Sequence, residues 1–155
     1  MLKPLIYNSD IKELDEKMLE GKILSVDELS LVRQSTCSES QIQQACKRIF
    51  EEKFGRGFFQ IDNGGFQSAA MKAKKKREGT IAGAPDVFLV GKDSKVFFVE
   101  FKRIGSPSTA KAREDQLEIH DFLRSLGFRV FLTNNTIFFE KIICKEFACT
   151  LKTIT

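Results

Sequence analysis

The stretch that decides the fold is Ala84–Lys102, APDVFLVGKDSKVFFVEFK. Val87-Phe88-Leu89-Val90 and Val96-Phe97-Phe98-Val99 are β-branched and aromatic, and Gly91-Lys92-Asp93-Ser94 between them is turn material. Together they predict an antiparallel hairpin, in which facing residues share one index sum. If Val90 faces Val96 the sum is 186, and 186 − 86 = 100, so Asp86 faces Glu100. Period-two alternation then places Lys102 on the same side of the sheet as Glu100. Like charges directly opposite each other destabilise a hairpin unless something neutralises them.

A divalent cation fits that need. Mg²⁺ takes one or two protein carboxylates and leaves its other positions to water and phosphate oxygens. Asp86 and Glu100 supply that number, and the Phe101 carbonyl adds a third oxygen. Lys102 then holds the attacking water or steadies the developing oxyanion as a point charge. The competing reading is a wet sheet face, on which an Asp at a strand start and a Glu–Lys alternation are ordinary. Against it, Val96 to Val99 are apolar without interruption, as in a strand covered on both faces. Charges that continue such a strand are partly buried, and buried charges are paired or bound to metal.

These residues resemble the PD-(D/E)XK nuclease superfamily, and most of all its virus-type replication-repair nuclease (VRR-NUC) branch. Gly83-Ala84-Pro85-Asp86 is similar to the branch's Gly-x-Pro-Asp, and Glu100-Phe101-Lys102 to its Glu-x-Lys. Gln116 matches a downstream helical Gln, Glu39 and Gln43 an upstream Glu-x-x-x-Gln, and Asn63-Gly64-Gly65 an intervening Asn-Gly-Gly. The order holds from about Glu39 to Thr133. The resemblance implies an α/β restriction-endonuclease-like core, a central mixed sheet flanked by helices, with Mg²⁺ or Mn²⁺ at the Asp and Glu. It also implies Glu39 as a secondary metal carboxylate and Gln116 as a group orienting water or lysine. Compact members are similar to Holliday-junction resolvases and act as homodimers on DNA.

At 155 residues the chain is one domain with room for a core. Fifteen Phe with no Trp are read as core filling. Cys37, Cys46, Cys144 and Cys149 form no Cys-x-x-Cys and have no nearby His at zinc spacing, so they are read as reduced thiols of an intracellular, cytoplasmic protein. No apolar run reaches the ~18 residues of a membrane span. The net charge of +4 is too modest to establish nucleic-acid binding.

Residues 1–35 read as a helical N-terminal extension to a nuclease domain at 36–155. A helix runs from Asp10 to Glu20 and stops at Gly21, and a capping box at Ser25/Glu28 opens a second. The strongest helix spans Ser38 to Lys53, capped by Ser38 with Gln41, and buries Ile42, Ala45, Cys46, Ile49 and Phe50. A Glu39 in its first turn also answers the helix dipole. Phe58 to Ile61 is a short strand. Lys72, Lys74, Lys75, Lys76 and Arg77 read as a flexible basic loop that clamps DNA backbone, with Arg103 as a further phosphate contact. The alternative is plain solvated surface. A helix from about Lys111 to Ser125 is expected to turn Leu117, Phe122, Leu123 and Leu126 inward. His120, the only histidine, is read as structural or surface. Phe128–Leu132 and Ile137–Phe139 are expected as strands around a Thr133–Thr136 turn.

The function expected is a metal-dependent DNA endonuclease, structure-specific and resolvase-like. The alternatives are an inactive nucleic-acid-binding module on the same fold, a sequence-specific restriction-type nuclease, and a structural or protein-interaction domain.

Overall fold

The computed structural model describes residues 5–62, 67–106 and 110–151; Asn63-Gly64-Gly65, Pro107-Ser108-Thr109 and the Cys149 side chain lie outside the described residues. Helices α1 (Asn8–Leu19), α2 (Val26–Gln34) and α3 (Glu39–Phe54) precede β1 (Phe58–Gln60) and α4 (Ala69–Arg77). Then come β2 (Val87–Val90), β3 (Val96–Phe101), α5 (Ala110–Ser125), β4 (Arg129–Thr133) and α6 (Thr136–Leu151). The sheet order is β1-β2-β3-β4. The first two pairings are antiparallel, and β3 and β4 are parallel across α5. The protein is thus mixed α/β with a mixed four-stranded sheet.

The expected hairpin register holds: Val90 pairs with Val96 and Val87 with Val99. Its turn is closed by the Gly91 N–H donating to the Lys95 carbonyl, with Asp93 and Ser94 at positive φ. The helix ends read from sequence are also present. Ser25 with Glu28 and Ser38 with Gln41 form reciprocal capping boxes, and Gly21 sits at φ 72° just past α1.

The main core lies on one sheet face. Val87, Leu89, Phe97, Val99 and Phe101 pack against Ile42, Cys46 and Phe50 of α3 and Phe139, Ile143 and Phe147 of α6. Full burial of each such side chain contributes roughly 1.5–3 kcal/mol, so this layer fixes the sheet on which the site stands. A second cluster joins Ile6, Ile11, Leu14, Leu24 and Leu31 of the N-terminal region to Ile104. The Asn134 carboxamide fastens that region, accepting from the Ile6 N–H and donating to the Ile6 carbonyl.

Four expectations are corrected. Ile137–Phe139 is not a strand but the first turn of α6. Asn135 is its cap, its side-chain oxygen accepting from the Phe138 N–H at 2.8 Å. The burial of Phe139, Ile143 and Phe147 at a spacing of four reveals the helical period that a three-residue apolar run concealed. The Lys72–Arg77 run is not a loop but most of α4. Ser68 caps it by accepting from the Met71 N–H, and Ala, Lys and Arg are good helix formers. Helix α5 is rotated from its expected phase: Leu117, Phe122 and Leu126 are exposed, and His120 is buried. Finally, the phenylalanines do not all fill the core. Phe59, Phe88, Phe98 and Phe128 lie on the opposite side of the sheet, with Phe59 48% exposed.

Candidate functional site

Strand alternation gives the sheet's second face to Phe98, Glu100 and Lys102, since Phe97, Val99 and Phe101 point into the core. Continuing the hairpin register one step beyond β2 sets Asp86 opposite Glu100. The Ile61 N–H donates to the Asp86 carbonyl, which ties this row to the end of β1. The predicted pair of carboxylates is therefore brought together.

Glu100 is 2% exposed. Its Oε1 accepts from Lys102 Nζ at 2.9 Å and from Gln116 Nε2 at 2.5 Å. Its Oε2 is buried with no hydrogen-bond partner. Burial first, and then repulsion from Asp86, push its carboxyl from the ordinary 4.5 up to about 7, against the pull of Lys102. Glu39 adds a further upward push. Asp86 is half-buried, and its Oδ2 accepts from the Phe101 N–H at 2.7 Å. A strand residue turns its N–H and C=O towards the same neighbour, so the Phe101 carbonyl lies on the Asp86 side of β3.

Gln116 reaches Glu100 because the chain before Asp86 presses on α5. Gly83 sits at φ 80°, and a Cβ there would meet the Asp115 carbonyl oxygen at 2.5 Å and the Gln116 nitrogen at 2.9 Å. Only glycine tolerates both the dihedral and the contact. Gly83→Ala is expected to cost about 1–3 kcal/mol, measured by chemical denaturation.

The remaining predicted residues are placed as follows. Glu39 is exposed in the first turn of α3 and acts on Glu100 through charge. Among the described residues, no three His, Cys, Asp or Glu side chains are grouped to hold a metal ion. Arg103 is exposed and lines a cavity of about 150 Å³ with Lys102, Gln116, Tyr7 and Asn134. On α4, Lys72, Lys75 and Lys76 line a cavity of about 530 Å³, while Lys74 and Arg77 are exposed on the same helix. Lys75 is paired with Asp62, and Lys74 with Glu78. No known protein family, curated protein or solved structure matches the chain.

His120, expected to be structural or surface, is buried in the structure. It lies four residues after Gln116 on the inward side of α5, 1% exposed, with neither ring nitrogen hydrogen-bonded. Burial chiefly, with Arg124 and Lys102 adding to it, pulls its pKa below 6.5, so the ring is held neutral. The i, i+4 spacing from Gln116 puts the two on one face of α5.

The donor set suits a divalent cation. Glu100 Oε2 is a buried carboxyl oxygen lacking a partner, Asp86 lies opposite Glu100 in the register, and all the ligand atoms are hard oxygens of the kind Mg²⁺ and Mn²⁺ take. A cation there would hold Glu100 ionised at neutral pH.

Proposed function

We propose that this chain is a divalent-metal-dependent DNA endonuclease on a restriction-endonuclease-like core, with Mg²⁺ or Mn²⁺ at Asp86, Glu100 and the Phe101 carbonyl. One observation carries the reading: a buried Glu100 carboxyl on β3 with the half-buried Asp86 opposite it at the entry to β2, and with Lys102 and Gln116 both directed at Glu100. When bound, the metal supplies Lewis-acid polarisation of a phosphodiester and a more acidic water. Glu100 and Asp86 would hold that ion. Lys102 places a positive charge beside the same centre, where negative charge grows during attack. Gln116 holds the Glu100 carboxylate in one rotamer, leaving Oε2 for the ion. Glu39 contributes negative charge at longer range.

The DNA backbone is bound by Lys72, Lys74, Lys75, Lys76, Arg77 and Arg103. Helix α4 projects its five cations with no buried residue, so its charge serves no core. Alanine at Lys72, Lys75 and Lys76 is expected to weaken duplex binding at all sequences. Each phosphate that is no longer neutralised lowers the slope of log affinity against log salt by about 0.9, read by fluorescence anisotropy across a salt series. The form proposed is a structure-specific, resolvase-like homodimer acting inside the cell. Among the described residues no helix is long and apolar enough to cross a membrane.

One observation favours an inactive nucleic-acid-binding module instead: Asp86 Oδ2 is engaged by the Phe101 N–H. Incubating plasmid and four-way-junction DNA with Mg²⁺ or Mn²⁺ decides between the two. Metal-dependent nicking supports the nuclease; binding without any cutting supports the module. A single defined cut in linear duplex would indicate a restriction-type enzyme.

A further inference from the structure

The second face of the sheet carries a row of phenylalanines beside the carboxylates. Phe59 pairs with Phe88 and Phe88 with Phe98 across the three antiparallel strands. Their rings are in contact at 5.0 and 6.4 Å, and Phe128 closes the row edge-on at 5.5 Å from Phe98. Two residues further along the same strands, about 7 Å away, lie Ile61, Asp86 and Glu100. Aromatic and carboxylate rows therefore lie side by side, within the span of one extended nucleotide.

Phe59 ends the row on the edge strand. Its ring stacks on Phe88 with the planes 13° apart, and it is 48% exposed. Among the described residues no other ring covers it. One more flat ring added to Phe59 would continue a stack that the protein has already begun.

Charge indicates what that ring belongs to. A cleft starts at Ile61 and Ala84 as a cavity of about 390 Å³ whose two carboxylates, Asp62 and Glu78, are paired with Lys75 and Lys74 of α4. It shares Gly79, Thr80 and Ile81 with the cavity of about 530 Å³ that Lys72, Lys75 and Lys76 line. An aromatic shelf joined to a cleft that ends in the lysines of α4, with its near carboxylates already paired, matches a polyanion carrying flat rings, and each base stacked on an aromatic side chain is worth ~1–3 kcal/mol whatever its sequence.

We propose that Phe59 is a stacking platform for one unpaired base of a DNA strand whose backbone runs along the cleft to α4. The preferred substrate class is then DNA with an unpaired nucleotide next to the bound phosphate, such as a flap or a splayed branch point, rather than continuous duplex. This deepens the nucleic-acid reading above but does not need cleavage to be true.

The probe is a duplex carrying a short single-stranded flap with 2-aminopurine at its first unpaired position, compared with the same duplex fully paired, in Ca²⁺ buffer. Wild-type protein is expected to quench the 2-aminopurine and to bind the flap about 5–100-fold more tightly than the duplex, the range that one stacked base supplies. Phe59→Leu keeps the apolar cover of the sheet but has no ring. It should lose both the quench and the preference, with duplex affinity unchanged, and Phe59→Trp should keep both. Equal affinity for the two DNAs, or a quench unaltered in Phe59→Leu, overturns the proposal. So does a dimer that Phe59→Leu dissociates without changing the quench, which would make the row an interface between two copies. Quenching without metal-dependent cutting upholds the platform and removes the nuclease reading. Cutting that persists with no quench removes the platform alone.

Discussion

Lys102→Ala is expected to lower metal-dependent DNA cleavage by about 10²–10³-fold, the usual cost of deleting one group that stabilises charge in a transition state. Binding should change little, because the phosphate contacts proposed above lie mostly on α4. The fold should also survive. Lys102 is the ion-pair partner of a buried carboxylate, and stranding such a charge is ordinarily costly. Glu100, however, already sits at about 7 and can take up a proton instead. The pairing of lost turnover with retained melting temperature and retained affinity separates a chemical role from a structural one. Single-turnover cleavage, anisotropy and thermal melting on one preparation provide all three readings.

Glu100→Gln is expected to stabilise the metal-free protein at pH 8 and not at pH 4. The unfolded chain releases this proton near 4.5 and the folded protein near 7. Between those values the native state holds the extra proton, so stability falls as pH rises, and the full penalty is present above 7. A shift of that size corresponds to roughly 3 kcal/mol. Some of it is returned when Lys102 loses its partner, which leaves an expected gain of about 1–3 kcal/mol. For a chain of this length that is a rise of roughly 2–10 °C in melting temperature. The wild-type slope between pH 4.5 and 7 should flatten in the variant. Added Mn²⁺ should stabilise the wild type, since binding favours the ionised carboxylate, and should leave Glu100→Gln unmoved. Differential scanning calorimetry over a pH series, with and without Mn²⁺, measures every part of this expectation.

Much of this architecture was legible where short-range rules decide the outcome. The Val90–Val96 pairing followed from two β-rich runs around a turn, and it carried the Asp86–Glu100 alignment with it. The caps at Ser25 and Ser38 followed from side chains that satisfy the nearest free backbone groups. What could not be read depended on partners distant in sequence. Helix α4 has no apolar stripe, so its helicity rests on Ala and Lys propensity, a weaker signal than its charge. Helix α6 begins with three apolar residues that suit a strand equally well. Its period shows only once Phe147 is known to meet Phe50 and Phe97. Helix α5 carries more apolar residues on its flanks than on its inner side. Its inner side meets Gly83 at Asp115 and Gln116, and it leaves Gln116 half-buried and His120 buried.

The arrangement of the site makes sense of that unusual helix. A helix that turns Gln and His inward gives up apolar burial, and the sheet beneath it carries the one nearly fully buried acid among the described residues. Among the described residues, the buried side-chain polar atoms without partners, Glu100 Oε2 and both His120 nitrogens, are confined to this layer. In native proteins such groups are usually met by an ordered water or ion, or serve strain or chemistry.

The central claim is that Asp86 and Glu100 together hold one divalent cation. Its most direct test is a Mn²⁺ titration of the DNA-free protein followed by electron paramagnetic resonance, with wild type beside Asp86→Asn. Wild type should deplete the free Mn²⁺ signal to a stoichiometry of about one ion per chain, the number one carboxylate pair supports. Asp86→Asn, which preserves the bond from the Phe101 N–H, should leave that signal undiminished. Equal uptake by both proteins, or uptake by neither at millimolar Mn²⁺, would contradict the claim.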